Sequence, residues 1–519
     1  MLDHNQAHNR PLIVKWVFKV KKNEDGNLDK FKARLVVRGF EQQFGFDYNQ
    51  TFASVAKAAT WRILLTVAAC LDWEIEQMDV STAFLEGDLD EDVFIEMPEG
   101  LVEYFDQHPE DRPPGFSTEK ICKLIKSLYG LKQAPRQWQK KLKETLESLD
   151  FRQVTSNTAV YHNPTTGVII IIFVDDFLIM GSNKEAIQGY KTRLGEIFTM
   201  TDLGPASHFL GVRITRDRNS RLIYLSQDAY FTRILKKFGL EDCRPVKTPM
   251  ERNSLSTLQP RDNGDSASPE EREDYSSKTG SLMYGMTQTR PDLAFLLSVL
   301  SRYMSNPSPA HSRLIKRSLR YLQQTKAHGL VLGGVKKDPE SAWSITAWAD
   351  SDRKGDAVTG RSTFGWLVQL EGSTVSWRAK RHETVALSTT EAEYTALSQC
   401  ARDLAWTRNL FSELLLPLHM PIPLNGDNQG SLKLCRNPEL HQRTKHIPLV
   451  EHHIREEVEA GNIDVQIVST HEQVADGLTK PLNTVSHGHF LEAIRVSACP
   501  IEEAGRIIWS TEVHDDSVP

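Results

Sequence analysis

The chain has 519 residues and a mass of 58.8 kDa, too long for one ordinary core, so roughly two to four domains are expected. With 39% hydrophobic and 25% charged residues, wholesale disorder, collagen-like sequence and a disulfide-rich mini-scaffold are excluded. The net charge of −6 argues against a nucleic-acid binder when taken whole, but the charge is uneven. Acids collect in 251–274 and at Glu512, Asp515 and Asp516, whereas residues 11–40 carry Lys15, Lys19, Lys21, Lys22, Lys30, Lys32, Arg34 and Arg38 against Glu24, Asp25 and Asp29. Local fields, not totals, steer polyanions. Cys70, Cys122, Cys243, Cys400, Cys435 and Cys499 form no CxxC pair. That fits a reducing compartment and argues against a structural zinc finger. The polar start (MLDHNQAHNR) shows no signal peptide. An intracellular protein, cytoplasmic or nuclear and not secreted, is therefore expected.

In chain order, the first acid to stand out is Asp79, in QMDVSTAFLEG at the end of a strand-like stretch from Trp73. Further on, the apolar run Val168–Val174 is far too short to cross a membrane. It runs into Asp175-Asp176 and then Phe177–Met180. That pattern predicts a buried hairpin with two adjacent carboxylates at its turn. Adjacent acids repel each other and lose hydration there, and a cation repairs both problems. An isolated Asp-Asp pair is ordinary turn chemistry; Asp79, a third acid at a second strand end, points instead to two Mg²⁺ ions.

Residues 251–274 are polar and read as a linker or exposed loop. Pro291–Met304 has helical spacing, and Ser308 with Pro309 opens a helix through Leu322. From about Ala342 strands return. Trp343–Ala349 alternates, and Thr363–Leu370 and Thr374–Trp377 flank the hairpin signal Glu371-Gly372. A long helix follows from about Thr389, then a strand ending near Asn425 and another over Ile463–Val468. The last 30 or so residues show little pattern. In this second region Asp350 ends a strand, Glu393 lies at the start of the long helix, Asp427 ends a strand, and Asp476 opens a helix five residues after His471. Four carboxylates so placed could hold two Mg²⁺ and direct water at a phosphodiester. Ser388 and Glu391 make a capping box, which leaves Glu393 as the ligand; Asp352 is a weaker rival to Asp350. His446, His452 and His453 fit no zinc spacing.

The strings KARLVVRGFEQ (32–42), TFASVAKAATWR (51–62), QMDVSTAFLEG (77–87), KSLYGLKQAPRQW (126–138), FVDD (173–176) and HFLGVRI (208–214) resemble, in order, the reverse transcriptase of copia-type LTR retrotransposons. TEAEY, RTKHI (443–447) and ADGLTK resemble that family's RNase H over about residues 340–485. The resemblance implies a multidomain α+β and α/β chain. A right-hand polymerase with palm, fingers and thumb-like helices would precede an RNase H-like mixed five-stranded sheet with helices. The expected domains are 1–250 (fingers, palm, start of thumb), 251–274 (acidic linker), 275–338 (helical thumb or connection), 339–485 (RNase H-like) and 486–519 (tail).

It also implies that Asp79, Asp175 and Asp176 are the polymerase metal carboxylates. Asp350, Glu393, Asp427 and Asp476 would be those of the nuclease, with His471 assisting product release or proton transfer. Phe84 would be the gate against a ribonucleotide 2′-hydroxyl, and Lys32 and Arg34 would hold the incoming triphosphate. Tyr129 and Gly130 would lie under the templating base and nucleotide, and Phe209 to Gly211 would hold the primer. The implied cofactor is Mg²⁺, two per site, with Mn²⁺ as a substitute. The implied partners are an RNA template, a DNA primer, the RNA–DNA hybrid and dNTPs, with no membrane. The family carries more fingers sequence before KWVFK, and reads Tyr at Phe173, Pro at Ser54 and Gln at His382. Two readings follow: a competent polymerase and nuclease, or a truncated remnant that at most binds nucleic acid.

Overall fold

A computed structural model describes residues 10–22, 28–118, 120–262, 264–353, 355–356, 358–437 and 449–501. His446 with RTKHI, Glu24 and Asp25, and Glu512, Asp515 and Asp516 lie outside the described residues. No helix among the described residues is long and apolar enough to cross a membrane. The chain packs as two compact units, one built from residues up to 56 and 74–206, the other from 57–73 and 207 onward. The expected polymerase stretch thus contributes to both.

The first unit centres on a six-stranded antiparallel sheet in the order Met200–Pro205, Glu74–Val80, Asp176–Gly181, Ile169–Phe173, Val160–His162, Arg152–Gln153. The run IIIIF reads as a buried strand, and Ile169, Ile170, Ile171 and Ile172 are buried while Phe173 is half-buried. Ile170 and Ile172, with Trp138, Leu142 and Leu146 of the helix Ala134–Ser148 and Leu194 of the helix Lys184–Ile197, form the core. A separate hairpin, Val14–Lys22 with Leu28–Val37, pairs Val17 with Arg34 and Lys19 with Lys32. Strand alternation therefore puts Lys32 and Arg34 on one face.

The second unit holds two sheets and a helical cluster. One sheet runs His208–Phe209, Val212–Asp217, Leu222–Ser226, His328–Gly333, Val496–Ala498. The other runs Ser373–Arg381, Thr363–Leu370, Ile345–Asp352, Ile422–Gly426, Ile463–Ile467, its first three strands antiparallel and its last two joined in parallel. With the long helix Thr389–Glu413 following the strand Ser373–Arg381 in the chain, this is the RNase H-like mixed five-stranded topology that the resemblance implies. Glu371 and Gly372 close the predicted hairpin with φ of 47° and 74°, the twist-matched two-residue turn.

Two expectations change. The helix Pro269–Gln288 begins inside the polar stretch 251–274, because Ser268 and Glu271 form a capping box there. The region after 485, patternless in sequence, forms the helix Thr484–Ala493 and the edge strand Val496–Ala498. Its cohesion is tertiary: His487 hydrogen-bonds the buried Tyr321 hydroxyl, which donates to Asp292, itself paired with the fully buried Arg290.

Candidate active sites

The palm hairpin turns on Val174-Asp175, flanked by the pair Phe173 and Asp176. Val174 takes φ of 59°, a left-handed conformation that a β-branched residue pays for with about 1–3 kcal/mol. Two bonds hold it: the Trp138 indole N–H donates to the Val174 carbonyl at 2.7 Å, and the Val80 amide donates to the Asp175 carbonyl at 2.9 Å. The neighbouring strand puts Asp79 directly opposite Asp176. All three acids thus meet at the ends of two adjoining interior strands. Asp175 is exposed, while Asp79 and Asp176 are half-buried. Burial, then the charges of Asp175 and Asp79, push the Asp176 carboxyl up to about 7. A cation would reverse that penalty, so these residues fit a divalent metal.

The residues expected to meet the nucleotide form a chain of contacts. The Arg34 guanidinium lies 5.4 Å from the centre of the Tyr129 ring, and Tyr129 meets Phe84 edge-on at 5.4 Å. Gly130 sits at φ 91°, and a Cβ there would lie 2.1 Å from the Val37 carbonyl oxygen. Only glycine lets this loop lie against the fingers strand, where the Val37 amide bonds the Tyr129 carbonyl at 2.8 Å. Of the nearby bases, Arg136 and Lys140 pair with Asp90 on the helix surface. An apolar cavity of about 240 Å³ lies beside the turn, lined in part by Phe84, Trp138, Tyr161 and Val174.

In the second unit, Phe209 is buried and packs edge-on against Trp61. It is a core residue, and the turn Leu210-Gly211, with φ of 51° and 71°, is the part that projects. Tyr284, which the sequence did not single out, donates from its hydroxyl to the Leu210 carbonyl at 2.6 Å. A Cβ on Gly211 would lie 2.3 Å from that hydroxyl.

The other acid cluster is tighter. Asp350, Glu393 and Asp427 each offer a carboxylate oxygen, all within 4.8 Å of one another. Among the described residues, no other group of three potential ligands is drawn this close. Asp350 and Glu393 are both 4% exposed. Burial, then Asp350 and Asp427, push Glu393 up to about 10; burial and then Asp350 push Asp476 up to about 7. Burial likewise raises Asp350, against the pull of Lys480. Three crowded carboxylates at this depth are stable as anions only with a cation, so the donor set fits divalent metal. Glu391 lies outside this cluster: its amide bonds the Ser388 hydroxyl at 3.1 Å and its carboxylate accepts from the Leu387 amide at 2.7 Å.

The Asp476 segment is a 3₁₀ turn, Val474–Leu478. Asp350 pairs in register with Gly365, and a Cβ on Gly365 would lie 2.5 Å from Leu478. That bare strand position lets the turn seat on the sheet beside Asp350, where the Thr479 hydroxyl donates to the Asp350 carboxylate. Asp476 pairs with Lys480 at 2.8 Å. Asp352 is also raised by burial, against Lys480, but stands outside the tight cluster. His471 is exposed on the loop next to Thr470, whose hydroxyl donates to Asp427 at 3.2 Å. His452 bonds the Tyr394 hydroxyl at 2.9 Å, and His453 lies 3.5 Å from Glu456.

The sequence profile of the family described as reverse transcriptase (RNA-dependent DNA polymerase) matches residues 2–252. The retrovirus-related Pol polyprotein from transposon TNT 1-94 of Nicotiana tabacum is 40% identical over 479 residues, 91% of this chain and 34% of that relative. The one from transposon RE1 of Arabidopsis thaliana is 36% identical over 488 residues, 94% of this chain and 32% of that relative. The chain thus spans about a third of the length of these relatives. Among solved structures, RNase H1 from Halobacterium salinarum aligns at 18% identity with a TM-score of 0.19, covering 26% of this chain and 94% of its own.

Proposed function

This chain belongs to the copia-type retrotransposon Pol family, and we propose that it is an RNA-directed DNA polymerase joined to a ribonuclease H. It would copy RNA into DNA and hydrolyse the RNA strand of the resulting hybrid inside the cell. The observation that carries this reading is the presence of two separate acid clusters, Asp79 with Asp175 and Asp176, and Asp350 with Glu393 and Asp427, each with a carboxyl that burial and then its acidic neighbours push up. These residues, with Asp476 in the second cluster, would hold Mg²⁺, or Mn²⁺ in its place. Two bound ions supply activation of the attacking hydroxyl or water and neutralise charge on the leaving oxygen.

The chain's own side chains do the rest. Arg34, oriented by the Tyr129 ring, and Lys32 on the same strand face bind the triphosphate of a dNTP; a guanidinium can do so with two parallel hydrogen bonds, an ammonium as a point charge. Phe84, braced edge-on by Tyr129, excludes the 2′-hydroxyl of a ribonucleotide by volume. The Leu210-Gly211 turn, latched by Tyr284, supports the primer. His471, exposed beside Asp427, moves a proton or eases product departure. Contacts to the hybrid run mainly to phosphates and 2′-hydroxyls, with little base reading, so binding weakens with salt.

The test is one reaction of the full chain with Mg²⁺, reading primer extension on poly(rA)/oligo(dT) and hybrid cleavage together. Asp175→Asn should abolish extension and spare cleavage, and Glu393→Gln the reverse. A folded chain without either activity would overturn the reading in favour of a remnant that only binds nucleic acid.

A further inference from the structure

Around Asp350 the chain supplies a cation of its own. Lys480 follows the Asp476 turn, and its backbone amide bonds the Asp476 carbonyl at 3.1 Å. Its ammonium reaches the Asp476 carboxylate at 2.8 Å. Two close approaches fix this position: Leu478 seats on the bare Gly365, and a Cβ on Gly477 would lie 2.6 Å from the Phe490 ring. The stem is therefore launched from a packed turn, not from a free surface. A lone exposed Lys–Asp pair contributes little. This ammonium is half-buried and also within electrostatic reach of Asp350 and Asp352.

We propose that Lys480 is a resident counter-cation of the nuclease site: it holds Asp476 in place while no divalent ion is bound, and lowers the site's affinity for that ion. The inference rests on the RNase H reading of this site. Five carboxylates gather here: Asp350 and Asp352 at the end of the central strand, Glu393 on the long helix, Asp427 after the next strand and Asp476 on the 3₁₀ turn. With no ion bound, the Lys480 ammonium offsets part of their repulsion. Once a divalent ion is present, the same charge opposes it. Lys480 is thus a positioning residue with a defined electrostatic cost, and it sets the metal concentration at which the site fills.

The experiment compares the full chain with Lys480→Met and Lys480→Arg. Thermal melting is followed in EDTA and in saturating Mg²⁺, and hybrid cleavage is titrated with Mg²⁺. In EDTA, K480M should melt lower than wild type; in saturating Mg²⁺ the gap should close, which simple loss of packing would not produce. The half-saturating Mg²⁺ for cleavage should fall by about tenfold in K480M, and K480R should restore both values. Equal melting in EDTA, a gap that persists in Mg²⁺, or a midpoint that stays or rises would overturn the assignment. Failure of the RNase H reading would look different: wild-type protein would cleave no hybrid at any Mg²⁺ concentration, whatever the melting curves in EDTA.

Discussion

The acids at the Asp175-Asp176 hairpin and those around Asp350 answer the same problem, crowded carboxylates, with opposite construction. In the palm, Asp175 stands exposed on a two-residue turn and Asp79 meets Asp176 across a strand pair. In the nuclease region, Asp350 and Glu393 are buried between sheet and helix, and Lys480 stands at their edge. An exposed turn lets water solvate the charge of Asp175, although burial still raises Asp176, and the turn's own stabilising bonds go to its backbone. A buried cluster cannot use water, so its acids take up protons or borrow a cation from the chain. Where the carboxylates sit decides which kind of support their neighbours provide.

The largest expected effect separates the two sites. Glu393→Gln should reduce hybrid cleavage by roughly 1,000-fold, about 4 kcal/mol of transition-state stabilisation, with primer extension unchanged. The same substitution removes a buried carboxyl that burial has pushed up to about 10, so the metal-free protein should melt higher than wild type. Lower melting would mean that the cluster is stabilised by a route other than protonation.

The palm contrast rests on the Val174 turn. Trp138→Phe deletes the indole N–H that donates to the Val174 carbonyl and keeps most of the ring volume. A lost hydrogen bond of this kind costs about 1 kcal/mol, and with it we expect an approximately fivefold fall in kcat for extension. Hybrid cleavage should not change; if it falls equally, the turn is not the element affected. Tyr284→Phe should act more gently still on the Leu210-Gly211 turn. The KM for primer should rise about threefold to tenfold with kcat held, as expected for loss of one hydrogen bond used in binding. An unchanged KM would remove that turn from the primer path.

The smallest effect concerns acid sensitivity in the nuclease sheet. His382 is buried, bonds the Ser351 hydroxyl at 3.1 Å, and is lowered by burial to about 4. Between pH 6.5 and 4 the unfolded chain binds a proton at this site that the folded chain does not. The contribution is therefore complete above pH 6.5 and is lost as pH falls through that window. His382→Gln should flatten the decline of melting temperature between pH 6.5 and 4 relative to wild type, and an identical slope would assign the acid sensitivity to other buried histidines.

Much of the fold was legible because its strongest signals are local. The IIIIF strand, the Glu371-Gly372 turn, the Ser308 and Ser388 caps and the long helix from Thr389 each follow from periodicity or a cap within a few residues. The roles of Phe209 and Arg62 were not legible in this way. Phe209 lies in a string that the resemblance assigns to primer holding, yet it packs into the core against Trp61. Arg62, within TFASVAKAATWR, is buried in the second unit, bonding the Val375 carbonyl at 2.8 Å and stacking on Trp377. A motif shows that a residue matters without showing what it touches. The helix Thr484–Ala493 was missed because its stability comes from Tyr321 and Phe490 packing, not from an amphipathic stripe.

By itself the sequence determined the family, the hairpin at Asp175-Asp176, the strands and long helix between 343 and 468, and the acids that stand at strand ends, because these depend on residue identity and short-range spacing. Only the tertiary structure decided which acids share one buried cluster, that Trp138 and Tyr284 hold the turns at Val174 and Leu210, and that Lys480 stands beside Asp476. Those facts depend on distances between segments far apart in the chain, set by close approaches such as Gly365 against Leu478, which no local pattern encodes.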